Sequence, residues 1–178
     1  VEDWRALRDR LEAALPGIDV VVQKAEERDK KLFVADMDST MIGQECIDEL
    51  AAEAGVGAQV AAITARAMNG EIAFEGALRA RVALLRGLPE TVFEQVFANR
   101  ITMTSGAPTL VATMKAQGAR TALVSGGFTA FTARVAAALG FDEHRANTLL
   151  AANGILTGEV GEPILGRDAK AEALRGAL

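Results

Sequence analysis

An α/β domain built on a parallel sheet, with a helical block inserted into it, is the fold this sequence predicts, and three features predict it. Two short apolar runs, Leu32-Phe33-Val34-Ala35 and Thr121-Ala122-Leu123-Val124, end abruptly in polar residues. Buried strands of parallel sheets read this way, with function gathered at their carboxyl ends. Helical patterning flanks the second run, and strand–helix alternation defines a doubly wound core. Between the runs, about 44–100 is rich in helix formers and too long for a simple crossover.

In chain order, Trp4, Leu7, Leu11 and Leu15 form one helical stripe over 4–15, which Pro16-Gly17 stops. Ile18 to Gln23 reads as a short strand, and the charged stretch Lys24 to Lys31 as a linker or exposed turn. The inserted block divides into helical segments near 44–54, 57–69, 73–86 and 89–98. A helix over Ala107 to Gln117 precedes the second strand. Phe128, Phe131, Val135 and Leu139 mark a helix after it. Asn153-Gly154 between apolar runs signals a hairpin. The expected division is 1–30 as an N-terminal helix, short strand and linker, 31–43 with 101–178 as the core, and 44–100 as a helical cap. His144, the only histidine, falls in what reads as a polar loop, Phe141 to Arg145, with a structural or solvent role.

Composition narrows the function classes. The 178 residues are 50% hydrophobic and 24% charged, an ordinary globular balance. The net charge is −5 and the basic residues are scattered, which disfavours nucleic-acid partners. No apolar run approaches the ~18 residues of a membrane span, and Val1-Glu2-Asp3-Trp4 is not a signal peptide. A cytoplasmic location is the resulting expectation. Cys46, the one cysteine, has no internal disulfide partner and reads as a small buried hydrophobe.

The chemistry centres on Asp36-Met37-Asp38-Ser39-Thr40, where two carboxylates stand at the end of an apolar strand. Acids this close to a core need a metal, a cation or a proton-transfer task, and Mg2+ suits carboxylate and phosphate oxygens. By itself Asp-x-Asp also fits a solvated turn. Ser125-Gly126-Gly127 ends the second strand and reads as opening a helix, so its hydroxyl and amides form either a phosphate cradle or a helix cap. Lys170, in Gly166-Arg167-Asp168-Ala169-Lys170, is a candidate for offsetting charge on a transferring phosphoryl group, although an exposed helix lysine looks the same.

Taken together, DMDST, a helical insertion with MIGQECIDELAAEAGV and FEGALRARVALLRGLP, VSGGF, a hairpin and GRDAK resemble the phosphoserine phosphatases of the haloacid dehalogenase superfamily, from about Lys31 onward. The resemblance implies a Rossmann-like core with an inserted helical cap and an Mg2+ cofactor. It implies that Asp36 is the nucleophile and that Asp38 is the proton donor and then the base. Asp36 and the Asp38 backbone carbonyl would bind Mg2+. Ser125, Gly126 and Lys170 would hold phosphate. Glu45 would meet the ammonium of phosphoserine and Arg81 its carboxylate, with Met68 and Phe74 in the apolar wall. Arg79, two residues from Arg81, falls on another helix face and is the weaker substrate candidate.

The resembling family also carries a later acidic motif, Gly-Asp-Gly-x-Asn-Asp, which supplies a further Mg2+ ligand and follows another core strand. No such motif occurs through Leu178. The expectation is therefore an incomplete core with weak Mg2+ binding and poor turnover by these residues, and an exposed sheet edge open to pairing with a second chain. Two other readings stay open: a phosphatase or phosphotransferase for another small phosphomonoester, and a non-catalytic fragment.

Overall fold

The computed structural model describes residues 3–27, 29–166, 168, 171, 175 and 176. They belong to two compact units, Val1–Lys31 and Leu32–Leu178.

In the first unit, helix α1 runs over Trp4–Ala14. Asp3 caps it, its carboxylate accepting from the Arg5 N–H at 3.0 Å. The Arg5 guanidinium lies 5.1 Å from the centre of the Trp4 ring. The strand expected over 18–23 is not formed. Ile18 and Val21 are exposed, and no neighbouring strand of this unit supplies a ladder among the described residues. One Ile and three consecutive Val make a segment suited to a sheet, but only a paired edge turns it into a strand. A 3-10 turn follows at Ala25–Glu27.

The second unit begins with β1 (Leu32–Ala35) and continues into four helices, α2 (Cys46–Glu53), α3 (Gly57–Met68), α4 (Phe74–Ala83) and α5 (Val92–Arg100). It returns through α6 (Ala107–Ala116), β2 (Arg120–Phe128), α7 (Thr129–Leu139) and β3 (Glu143–Asn147), then the hairpin β4 (Leu149–Ala152) and β5 (Ile155–Val160). The three core strands are parallel in the order β1-β2-β3, with Leu32 beside Arg120 and Ala122 beside Glu143. Among the described residues β1 therefore has a neighbour on one side only. Asn153 (φ 53°) and Gly154 (φ 77°) turn the hairpin in the left-handed conformation that the Asn-Gly pair accepts.

Two expectations are corrected here. The polar segment expected as a loop at 141–145 instead enters strand β3. Only Ala146 and Asn147 of β3 are buried, so it carries no apolar alternation to reveal it. Pairing with β2 and the Arg120–Glu143 ion pair (3.0 Å) hold it. The second correction concerns Ser125-Gly126-Gly127, which does not open a helix. The chain stays extended to Phe128, and α7 starts at Thr129. The register with β3 shifts between Val124 and Phe128, so the ladder is interrupted where the glycines lie.

One buried apolar cluster runs from the sheet into the inserted helices. It includes Leu123, Phe128 and Val135 of the core and Leu50, Val60, Val82 and Val96 of α2 to α5. Phe93 of α5 meets Phe131 of α7 edge to face at 5.9 Å. The chain enters and leaves the helical block side by side. Ile42 bridges Met103 in antiparallel fashion, Gly43 N–H donates to the Thr102 carbonyl at 3.0 Å, and the Gln44 side chain bonds the Thr102 backbone and hydroxyl. Among the described residues no helix is long and apolar enough to cross a membrane.

The start of β2 and the end of α6 are tied by Asp142. Its carboxylate accepts from Lys115 at 2.7 Å and from the Thr121 N–H and hydroxyl at 2.8 and 3.0 Å. These donors, the Lys115 ammonium first, hold its carboxyl down to about 2. A carboxylate whose folded-state pKa is depressed stabilises the fold above its unfolded value and loses that contribution as pH falls. Wild-type stability should drop between about pH 4 and 2 in an acid titration. Asp142→Asn should remove that step and cost on the order of 0.5–1 kcal/mol at neutral pH, the scale of a solvent-screened pair.

Candidate active site

Strand β1 delivers Asp36 and Asp38 to the edge of a cavity of about 200 Å³, lined also by Glu45, Phe74, Arg81, Ser125 and Gly126. Seven of the side chains and backbone segments singled out in the sequence thus converge. Met68 does not. It is the last residue of α3, 84% exposed, and lies outside the cavity lining. Val60 is the residue α3 buries, and the helix end carries Met68 past the packed region. Ile47 and Leu78 complete the apolar wall with Phe74 instead. Lys170 falls outside the described residues.

The turn after β1 is tight. Met41 and Ile42 N–H donate back to the Met37 carbonyl at 2.9 and 3.1 Å, and Ser39 is held at φ 51°. A non-glycine residue in the left-handed region is a local strain of the kind that gathers at functional sites. The Ser39 hydroxyl donates to Glu45 at 2.6 Å.

Asp38 is held from two sides. One carboxylate oxygen accepts the Cys46 N–H, in the first turn of α2, at 3.0 Å; the other accepts the Ser125 hydroxyl at 3.2 Å. Asp38 thus caps α2, whose N-cap residue, Glu45, makes no side-chain cap bond. Burial pushes the Asp38 carboxyl above the ordinary carboxylate range, and the Asp36 charge adds to the rise. The Cys46 and Ser125 hydrogen bonds oppose it without reversing it. Asp36 is half-buried and accepts the Met37 N–H at 2.9 Å. Both acids line the cavity, and Asp38 is in addition clamped where a proton is favoured.

Opposite charges stand at the helical side of the cavity. Burial raises the Glu45 carboxyl, and the charges of Asp38, Asp48 and Asp36 raise it further. Arg81 bonds the Ala77 carbonyl at 3.3 Å and the Thr64 hydroxyl at 3.4 Å, and burial lowers its guanidinium. The Cys46 thiol is buried and pushed up by that burial, so it is no nucleophile. His144 bonds Thr132 at 3.0 Å, a structural role.

Two features of the site were not legible in the chain. Asn147, 1% exposed, bonds the Gly126 carbonyl, yet nothing in Ala146-Asn147-Thr148 distinguishes it from a turn residue. Gly127 has no room for a side chain: a Cβ there would lie 2.5 Å from an Asp38 carboxylate oxygen. A glycine pair after a strand hints at such crowding without naming the group it protects.

Residues 33–178 match the haloacid dehalogenase-like hydrolase family, and the chain belongs to it. Its relatives in that family include phosphoserine phosphatases. The one from Archaeoglobus fulgidus is 48% identical over 92% of this chain and 48% of its own length. The one from Albidiferax ferrireducens is 50% identical over 74% of this chain and 56% of its own. A solved structure described as a phospho-aspartyl intermediate analogue of phosphoserine phosphatase is 42% identical, with a TM-score of 0.76, over 83% of this chain and 70% of that one. The chain spans about half the length of these curated relatives.

Proposed function

We propose that the chain hydrolyses O-phosphoserine to serine and phosphate through a phosphorylated Asp36. The observation that carries this reading is the cavity that joins Asp36, Asp38 and Ser125 to the opposite charges Glu45 and Arg81. At about 200 Å³ it is smaller than the roughly 300–1,000 Å³ typical of pockets for larger ligands, which suits a compact phosphomonoester.

An Asp36 carboxylate oxygen attacks phosphorus and forms the Asp36–phosphate bond as the bond from phosphorus to the serine oxygen breaks. Asp38 gives its proton to that departing oxygen. Water then attacks phosphorus, its proton passes to Asp38, and the Asp36–phosphate bond breaks. The raised carboxyl of Asp38 fits the first role, and its two hydrogen bonds keep it aimed. The Ser125 hydroxyl and the Gly126 amide hold phosphate oxygens, with Lys170 assigned the same task from the sequence. Glu45 meets the ammonium and Arg81 the carboxylate of the substrate, and Phe74, Ile47 and Leu78 exclude water.

The donor set fits Mg2+ in part. Among the described residues no group of three or more His, Cys, Asp or Glu side chains gathers as a cage, and hard oxygen donors are present at Asp36 and at the Asp38 carbonyl. Mg2+ is commonly held by one or two carboxylates together with phosphate and water. When bound it would neutralise charge shared between Asp36 and the phosphoryl group.

The test is selectivity. Arg81→Ala and Glu45→Gln should each lower kcat/KM for phosphoserine roughly 30-fold or more, the effect of unpairing a partly buried charge. Both should leave hydrolysis of a phosphomonoester lacking the ammonium and carboxylate nearly unchanged. A preference for phosphoserine that survives both substitutions overturns the assignment.

A further inference from the structure

We propose that Asn147 is a positioning residue: it fixes the Gly126–Gly127 peptide, and through that peptide the Ser125 hydroxyl, for phosphate binding. Asn147 ends β3 and is buried. Its side-chain amide donates to the Gly126 carbonyl at 2.8 Å and to the Leu165 carbonyl at 3.2 Å, and its oxygen accepts the Leu165 N–H at 2.7 Å. The paired bonds to Leu165 dictate which way the side chain faces, and that orientation aims a donor at Gly126.

The Gly126 carbonyl and the Gly127 N–H belong to one planar peptide and point in opposite directions. The carbonyl is gripped by Asn147, and the N–H donates to Ser125 Oγ at 2.9 Å. Ser125 Oγ, having accepted that hydrogen, keeps its own for the cavity side: it goes to Asp38 at 3.2 Å here and turns to a phosphate oxygen when the anion binds. The ladder from β2 to β3 is interrupted between Val124 and Phe128, so strand pairing does not orient this peptide. Asn147 does so in its place. The same side chain ties this peptide to Leu165, the residue before Gly166. The role rests on the phosphatase reading only in naming phosphate as the ligand.

Asn147→Asp tests it, because the carboxylate keeps the acceptor for Leu165 N–H but sets oxygen against the Gly126 carbonyl. In the full chain, N147D should weaken binding of inorganic phosphate roughly tenfold or more, the scale of a lost bond to a buried acceptor. It should also strip the Gly127 amide of its protection from hydrogen exchange. His144→Ala perturbs the same strand through Thr132 and should do neither. If N147D does not fold, the wild-type protein decides: the Asn147 side-chain amide resonances should shift on saturation with inorganic phosphate, although the residue does not line the cavity. Unmoved resonances, a wild-type chain that binds no phosphate, or a folded N147D with wild-type phosphate affinity and Gly127 protection each overturn the proposal. A wild-type chain that binds phosphate and shows the N147D effects but hydrolyses no phosphoserine overturns the substrate assignment and supports the role of Asn147.

Discussion

Asp36→Asn should abolish formation of the covalent intermediate while leaving the fold intact. The substitution keeps the shape of the side chain and an oxygen for the Met37 N–H, and removes the anion to which the proposed mechanism gives the attack on phosphorus. Loss of a nucleophile costs on the order of 10⁴–10⁶-fold in turnover. The same change lowers the density of negative charge, since Asp36 raises the carboxyls of both Asp38 and Glu45. The fold is read separately, by a far-UV circular dichroism spectrum expected to match the wild type. Beryllofluoride trapping read by fluorine NMR separates the two effects: an adduct with the wild type, none with D36N. An adduct that persists in D36N refutes Asp36 as the acceptor.

Gly127→Ala should come next in size. Its Cβ would stand 2.5 Å from an Asp38 carboxylate oxygen, 3.1 Å from Ser125 Oγ and 3.3 Å from the Met37 side chain. Asp38 has little freedom to retreat, because its other oxygen is held by the Cys46 N–H. Displacing a proton donor by about 1 Å costs roughly 10²-fold in rate, and kcat should fall accordingly. Overpacking should lower stability by about 1–3 kcal/mol as well. Gly126→Ala is the contrast. Its Cβ would meet the far end of the Phe74 ring at 3.3 Å, and Phe74 is 43% exposed and able to swing. G126A should change KM more than kcat. A G127A enzyme with wild-type kcat would show that Asp38 need not be where it is.

The strand ends were legible because apolar runs that stop at Asp36 and Ser125 leave a sharp mark in the chain. The inserted helices were legible by their wealth of helix formers, and the hairpin by Asn-Gly. Recognition of Asp36, Asp38, Glu45, Arg81 and Ser125 as one group came from motif resemblance, since residues so distant in the chain have no local signal of proximity. What failed failed for physical reasons. Ile18–Gln23 has the composition of a strand without a partner. β3 has a partner without the composition. Met68 has the right character on a helix that ends too far out. Asn147 acts through backbone atoms of Gly126 and Leu165, and backbone contacts leave no trace in side-chain spacing.

The paired crossing of Ile42-Gly43 with Thr102-Met103 gives the helical block adjoining entry and exit points. A module attached in this way can change in length without separating its graft points, provided its first helix still offers Asp38 the N–H that Cys46 supplies. A further limit on such change is the shared oily seam: any replacement must offer Phe131 a surface as apolar as the one Phe93 presents.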